Sequence, residues 1–386
     1  MHKKKRPYAI CISTFLSVIL LFSACDGIKI TELNERLIIE AIGIDYGENG
    51  DYAVTVQALD SEATGSEQDD ASAQPTKTFV FSGASVGEAL NGISVHTGKT
   101  PLYSQARVII IGNEVAKRSI GEALDFFLRE YTTRTDILTA VAEKSAKETV
   151  NASFGENAIG AQVIENALNS GEYTGNAVAV PLYKFINLLI DEKSGAFCPV
   201  IGVRKEELSD DARIEVTGTA LFYGNTFRSV LNTEETRGLL FLTDRISSAD
   251  LPLKSEDGIF TLRIVSSKTK TEPPKDGGNK FAIRITTECD ITEFESPDFS
   301  MLTSAAVERA RRASEEKIKE AAERALTSAY FTNGCDVCRF ERRFWLSQPN
   351  RYRQLTDGGA DLRKGFSAEI TASVKIRRTG KETLYG

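Results

Sequence analysis

The 386-residue sequence has two histidines, one tryptophan and two methionines. Of these shortages the histidine count excludes most. With so few imidazoles, His-based acyl transfer and His-rich metal centres have little to be built from. Nucleotide cradles are absent as well, since neither G-x-x-x-x-G-K-[ST] nor G-x-G-x-x-G occurs. Carboxylates are abundant, yet none has a spacing that acid/base or metal chemistry requires. Long apolar runs are missing: the longest charge-free one, Tyr8 to Phe22, spans 15 residues, short of the ~20 that cross a bilayer comfortably. At 41% hydrophobic and 26% charged residues, the bulk of the chain has the composition of a water-folded protein.

What is present begins with "KKKR" (Lys3 to Arg6), the apolar run, and then Ser23, Ala24 and Cys25. Basic, apolar and small-residue segments in that order are those of an export signal. The small residues before a cysteine resemble a lipobox, in which the thiol is alkylated by diacylglycerol and becomes the mature N-terminus. Such boxes usually carry Leu three residues before the cysteine; here Phe22 holds that place and Leu21 precedes it. The expectation is a signal peptide over residues 1–24 and lipidation at Cys25. Cleavage there removes four basic residues and no acidic ones, leaving 43 Lys and Arg against 54 Asp and Glu, a net charge of −11. That balance disfavours nucleic acid as a partner. It also leaves His96 as the only imidazole, and Cys198, Cys289, Cys335 and Cys338 as the only thiols besides the lipid site.

Period-two patterns predict strands at "YAVTVQAL", "KTFVFS", "ARVIIIG", "ARIEVTGTALF", "FAIRITTECDI" and from Phe366 to Ile376. Helical spacing is found in "GEALNGIS", "SIGEALDFFLREY", "ENAIGAQVIENALNS" and a long segment from about Met301 to Tyr330. The last has an inward stripe at Leu302, Val307, Ala310, Ile318, Ala322 and Leu326. Its pairs Glu308 and Arg312, Glu315 and Lys319, and Glu320 and Arg324 stand four apart in the favourable order. Elements mix without strict alternation, so the expected class is α+β, in two to three domains with mainly antiparallel or mixed sheets. The acidic stretch 60–77 reads as an exposed loop, 204–213 as a linker between domains at 25–203 and 214–386, and 268–280 as a long turn near which the second domain could subdivide.

Three motifs carry possible chemistry. "GASVG" (Gly83 to Gly87) matches the nucleophile elbow between a strand and a helix. The base it needs is missing, and Ser85 followed by Glu88 reads more simply as a capping box. "CDVC" (Cys335 to Cys338) reads as buried thiols, then as a disulfide, and last as metal or redox chemistry, because no second pair of knuckle spacing exists. "RFERRFWLSQPNRYRQL" (Arg339 to Leu355) interleaves five Arg with four aromatics. It reads either as an amphipathic helix with its aromatics inward or as a surface toward headgroups or a protein partner. The residues thus describe an exported, lipid-anchored, non-catalytic protein with no cofactor.

Three segments together resemble the Ger(x)C family, the lipoprotein C subunits of spore germinant receptors. They are "ELNERLIIEAIGIDYGENGDYAVTVQ" (Glu32 to Gln57), "PLYSQARVIIIGNEVAKRSIGEALDFFLREYTTRTD" (Pro101 to Asp136) and "IEVTGTALFYGNTFRSVLNTEETRGLLFL" (Ile214 to Leu242). Family members commonly have Trp-Asp after the lipid cysteine, where Asp26 follows Cys25 directly, and many have His where this chain has Gln105. The resemblance implies a receptor subunit at the inner membrane of a dormant spore, on its extracytoplasmic face. It implies A-type and B-type membrane-embedded partners, several sheet-and-helix domains and no enzymatic site. An alternative of another class is a lipid-anchored solute-binding protein of an importer, with a ligand held between two similar lobes. A third, an extracytoplasmic esterase, rests on "GASVG" alone.

Overall fold

The run "VIII" at β5 (Val108–Ile111) and "LTAVA" at β6 (Leu138–Ala142) are buried at every position, as strands covered by helices on both faces must be. They form the centre of a nine-stranded mixed sheet in a computed structural model that describes residues 35–60, 75–191, 193–207, 209–275, 277–296, 302–357 and 362–379. The expected signal peptide, Cys25 and most of the acidic stretch 60–77 lie outside the described residues.

On one side of the centre, β1 (Arg36–Tyr46) runs parallel to β5, and the antiparallel strands β2 (Tyr52–Leu59) and β3 (Thr76–Gly83) follow it outward. The short β4 (Thr100–Leu102) pairs with the start of β1. On the other side β7 (Gly195–Lys205) runs parallel to β6, and β8 (Ala212–Tyr223) and β9 (Thr226–Leu231) complete the sheet. Helices cover it: α1 (Val86–Thr97), α2 (Asn113–Arg118), α3 (Ile120–Arg129), α4 (Ala146–Val150), α5 (Gly160–Thr174) and α6 (Leu182–Ile190). Period two divides the sheet's two cores, with Ile109 and Ile111 in the main one and Val108 and Ile110 in a smaller one with Ala140, Ile164 and Ile201.

The expected linker at 204–213 is corrected by this pairing. Arg204 pairs with Arg213 and Lys205 with Ala212, so the stretch is the tip of the β7–β8 hairpin. Its polar composition suits a solvated hairpin turn as well as a linker. The sheet continues to Leu231, and α7 (Thr233–Leu242) leads out of it from a capping box between Asn232 and Glu235.

A four-stranded sheet follows in the order β10 (Ala249–Ser255), β11 (Gly258–Glu272), β12 (Lys280–Glu295) and β13 (Ser367–Arg378), the last parallel to β12. The long turn expected over 268–280 is confined to 273–279, because both strands extend into it. Between β12 and β13 come α8 (Ser304–Leu326), whose helix continues as a π-turn over Thr327–Thr332, α9 (Phe340–Ser347), α10 (Pro349–Thr356) and α11 (Leu362–Gly365). Ala310, Ile318, Ala322 and Leu326 face inward as the spacing predicts, while Leu302 and Val307 are half-buried and Ala306 and Ala325 take the deeper places. Of the expected pairs, Glu308–Arg312 and Glu320–Arg324 form, at 3.0 and 3.7 Å. Glu315 turns instead to Arg311 and accepts the Val374 N–H at 2.9 Å, which fixes α8 on β13.

One apolar core runs from the first sheet through α7 and α8 to the second. The two helices approach closely enough that a Cβ on Gly238 would stand 2.0 Å from the Ala321 carbonyl oxygen. Gly238→Ala therefore has to separate α7 from α8. The expected result is a destabilisation of about 3 kcal/mol in chemical denaturation, the upper end for overpacked cores, and a variant as stable as the parent would refute the close crossing.

Candidate functional site

Ser85 caps α1 by accepting the Glu88 N–H at 3.1 Å, and Glu88 Oε2 accepts the Ala84 N–H at 2.7 Å. The cap forms as the spacing predicts, with its return arm one residue earlier than in a strict capping box. His96 lies eleven residues on, at the far end of the same helix, about 16 Å away at 1.5 Å per residue. Its Nδ1 stands 2.8 Å from the Gly92 carbonyl and its ring packs on Phe81. Serine and imidazole do not meet, so no elbow chemistry is assembled at "GASVG".

Cys198, Cys289, Cys335 and Cys338 are buried free thiols. Burial pushes Cys289 and Cys335 up to about 12, and moves Cys198 and Cys338 upward as well. A thiol so displaced is a packing group with almost no thiolate at neutral pH. Among the described residues no three His, Cys, Asp or Glu side chains gather as metal ligands.

The residue between those cysteines is the one the sequence reading passed over. Asp336 is buried at 4% exposure, and its two carboxylate oxygens accept the Phe340 and Glu341 N–H groups, each at 2.8 Å. It caps α9 from three residues upstream of Arg339, which holds the left-handed φ of 54° and makes no cap of its own. Burial raises the Asp336 carboxyl from 3.8 to about 7 against the pull of the two N–H donors. The Asp336 carbonyl also accepts the Gly195 N–H at 3.1 Å, tying the start of β7 to this turn. A Cβ on Gly195 would lie 2.7 Å from the Cys335 carbonyl carbon, so only glycine admits this approach.

The arginine-aromatic segment takes its inward reading in part. Phe340 and Phe344 are buried, Phe340 stacking on Phe281 with ring centroids 4.3 Å apart, while Trp345 and Leu346 remain exposed. Arg343 donates to the Cys338 carbonyl and Arg351 to that of Gly278, so both spend charge on fixing turns. Between this segment, α6 and the end of α7 lies a cleft of 380 Å³ lined by Lys184, Phe197, Arg245, Thr271, Arg339 and Arg343 among others. Arg245 donates to the Ala179 carbonyl at 3.0 Å and lies over the Phe197 ring. Burial lowers its pKa, with Glu172 3.6 Å away as the opposing charge.

Residues 29–203 match a family model described as the spore germination protein N-terminal domain. Residues 217–380 match one described as spore germination B3/GerAC like, C-terminal. The chain belongs to the Ger(x)C family of spore germination proteins. Within the family's range it is similar to spore germination protein KC of Bacillus subtilis (strain 168), 22% identical over 413 residues that cover 97% of this chain and 96% of that protein. The putative spore germination protein YfkR of the same organism is 22% identical over 304 residues, 76% of each chain. The crystal structure of the GerBC protein shares the fold, with a TM-score of 0.55 at 17% identity, over 87% of this chain and 96% of that one.

In this Ger(x)C chain the groups that chemistry would use are absorbed into caps and packing. Two measurements check that reading. Thiol titration of the unfolded protein without reductant should find Cys198, Cys289, Cys335 and Cys338 all reactive, and the native protein almost none; two fewer on unfolding would mean a disulfide. Asp336 holds its proton in the folded state up to about pH 7 and loses it near 3.8 when unfolded, so its contribution to stability falls as pH rises between those values. Asp336→Asn should flatten the pH dependence of the denaturation midpoint over that window. Parallel profiles for the two proteins would contradict the buried, shifted carboxyl.

Proposed function

We propose that this chain is the C-type subunit of a nutrient germinant receptor, needed for spore germination and acting by assembly rather than catalysis. Diacylglycerol on Cys25 holds it on the extracytoplasmic face of the spore's inner membrane, beside A-type and B-type membrane-embedded subunits. The observation that carries the reading is the extent of the family match, which starts at residue 29, four residues after Cys25, and reaches residue 380. The family match thus begins just after the expected lipid site.

An anchor serves assembly by confining the soluble body to the membrane plane, which raises its effective concentration near embedded partners. One acyl chain binds only reversibly, so the two chains of a diacylglycerol are what stable attachment requires. Among the described residues no helix is long and apolar enough to cross a membrane. The solute-binding alternative calls for two similar lobes around a pocket, whereas a nine-stranded and a four-stranded sheet flank the cleft here.

The test is Cys25→Ala in the full chain. Metabolic labelling with a lipid precursor should mark the parent and not the variant, and the variant should assemble less receptor and germinate more slowly. Wild-type germination from an unlabelled but otherwise stable protein would defeat the proposal.

A further inference from the structure

The strand starts of the first sheet line one end of the molecule. The register runs from Ala41 through Val108 to Leu138 across three parallel strands and continues from Val141 to Val200 in β7. Arg36 opens β1 at that end, and Gly195 opens β7 there, about 14 Å away at three strand spacings. The chain therefore enters the fold at the pole to which Asp191 and the Asp336 turn belong.

This pole exposes large apolar side chains. Ile190, at the end of α6, is 70% exposed, and Tyr183 at its start is 42% exposed. Arg342 of α9 lies 3.5 Å from Asp191, the residue after Ile190. Trp345 and Leu346, three and four residues on, share the helix face of Arg342 and are 40% and 66% exposed. The charged groups of these two helices are Lys184, Arg342 and Arg343 against Asp191, which Arg342 pairs, and Glu341, which accepts the Tyr352 hydroxyl. With the flanking residues Lys193, Arg339 and Glu192 counted in sequence, these segments hold five cations against three anions, Arg343 being engaged by the Cys338 carbonyl, so on a mature chain of net charge −11 they are locally cationic.

We infer that this pole, with Tyr183, Ile190, Trp345 and Leu346 at its rim, rests on the anionic headgroup surface of the bilayer. The inference rests on the lipid anchor at Cys25. Ten residues lie between Cys25 and Arg36, a span of eleven steps that reaches at most ~40 Å when fully extended. A folded body of this length is on the order of 50 Å across, so the tether cannot carry the opposite pole to the membrane while β1 points away. Aromatic and aliphatic side chains beside Lys and Arg are the composition that settles at an anionic lipid interface.

Trp345 is the only tryptophan in the sequence, so its emission reports this face alone. The full chain, processed at Cys25, is placed on vesicles of phosphatidylcholine and phosphatidylglycerol with brominated acyl chains. The expected result is a blue-shifted, quenched Trp345. Ile190→Glu combined with Leu346→Glu should abolish the quenching while the anchor keeps the protein on the vesicles. Unquenched Trp345 on vesicle-bound parent protein overturns the docking and leaves the anchor standing. A Cys25 peptide without lipid by mass spectrometry overturns the anchor reading, and the docking with it. A blue shift that needs embedded receptor subunits and is insensitive to brominated lipid reassigns the face to protein and overturns the inference.

Discussion

The fold depends on the main-chain contact between Gly195 and Asp336. At this point the first strand of the hairpin β7–β8 meets a turn from the other half of the sequence, and the two backbones are too close for any side chain. A buried carboxylate completes the junction by capping α9, and the stack of Phe281, Phe340 and Phe366 closes over it. Such a junction has no slack: leaving either N–H without its acceptor would strand a buried polar group, at a cost of about 1–3 kcal/mol. It follows that α9 is fixed relative to the first sheet, although more than a hundred residues separate them in sequence. The exposed Trp345 and Leu346 are held in place from beneath.

The same economy runs through the groups that resemble reactive ones. Ser85 gives its oxygen to a helix N-terminus, where an orphan N–H would otherwise face solvent. The cysteines occupy positions that a small apolar side chain fills, and burial removes the thiolate on which their chemistry would depend. Arg343 and Arg351 hold carbonyls at turns. The proposed role, assembly with partners, calls for rigid turns and a defined surface more than for a reactive cleft. These residue choices are consistent with that kind of work.

Much of this was legible in the sequence, for reasons that differ between elements. The alternation from Phe366 to Ile376 is readable because one face is buried and period two records it, while Tyr52–Leu59 is readable because Thr55 and Gln57 alternate with Val54, Val56 and Ala58 although both faces are buried. The stripe on α8 is readable through Ala310, Ile318, Ala322 and Leu326, with Leu302 and Val307 packed on the core from its margin and small alanines setting the closest approach. The stretch 204–213 falls between the two family models and also forms a hairpin tip, since charge and low hydropathy mark any solvated turn and say nothing about which strands continue on either side. Asp336 left no signal at all. Its role arises only when α9, β7 and the turn between the two cysteines converge, and although its cysteine neighbours read as buried, nothing in the sequence names the N–H groups it caps.

The junction and the anchor argument bear on each other through geometry. β1 and β7 begin at the same end of the sheet, so fixing α9 on the start of β7 also fixes it near the start of β1, where the chain from Cys25 arrives. A tether attached at the opposite end would leave the body free to present any face. Under the proposed anchor, a segment this short attached here excludes the orientation with the strand starts farthest from the membrane. Under the proposed anchor a short leash and a shallow apolar rim act on the same pole, and their effects compound because the leash already confines the rim near the surface.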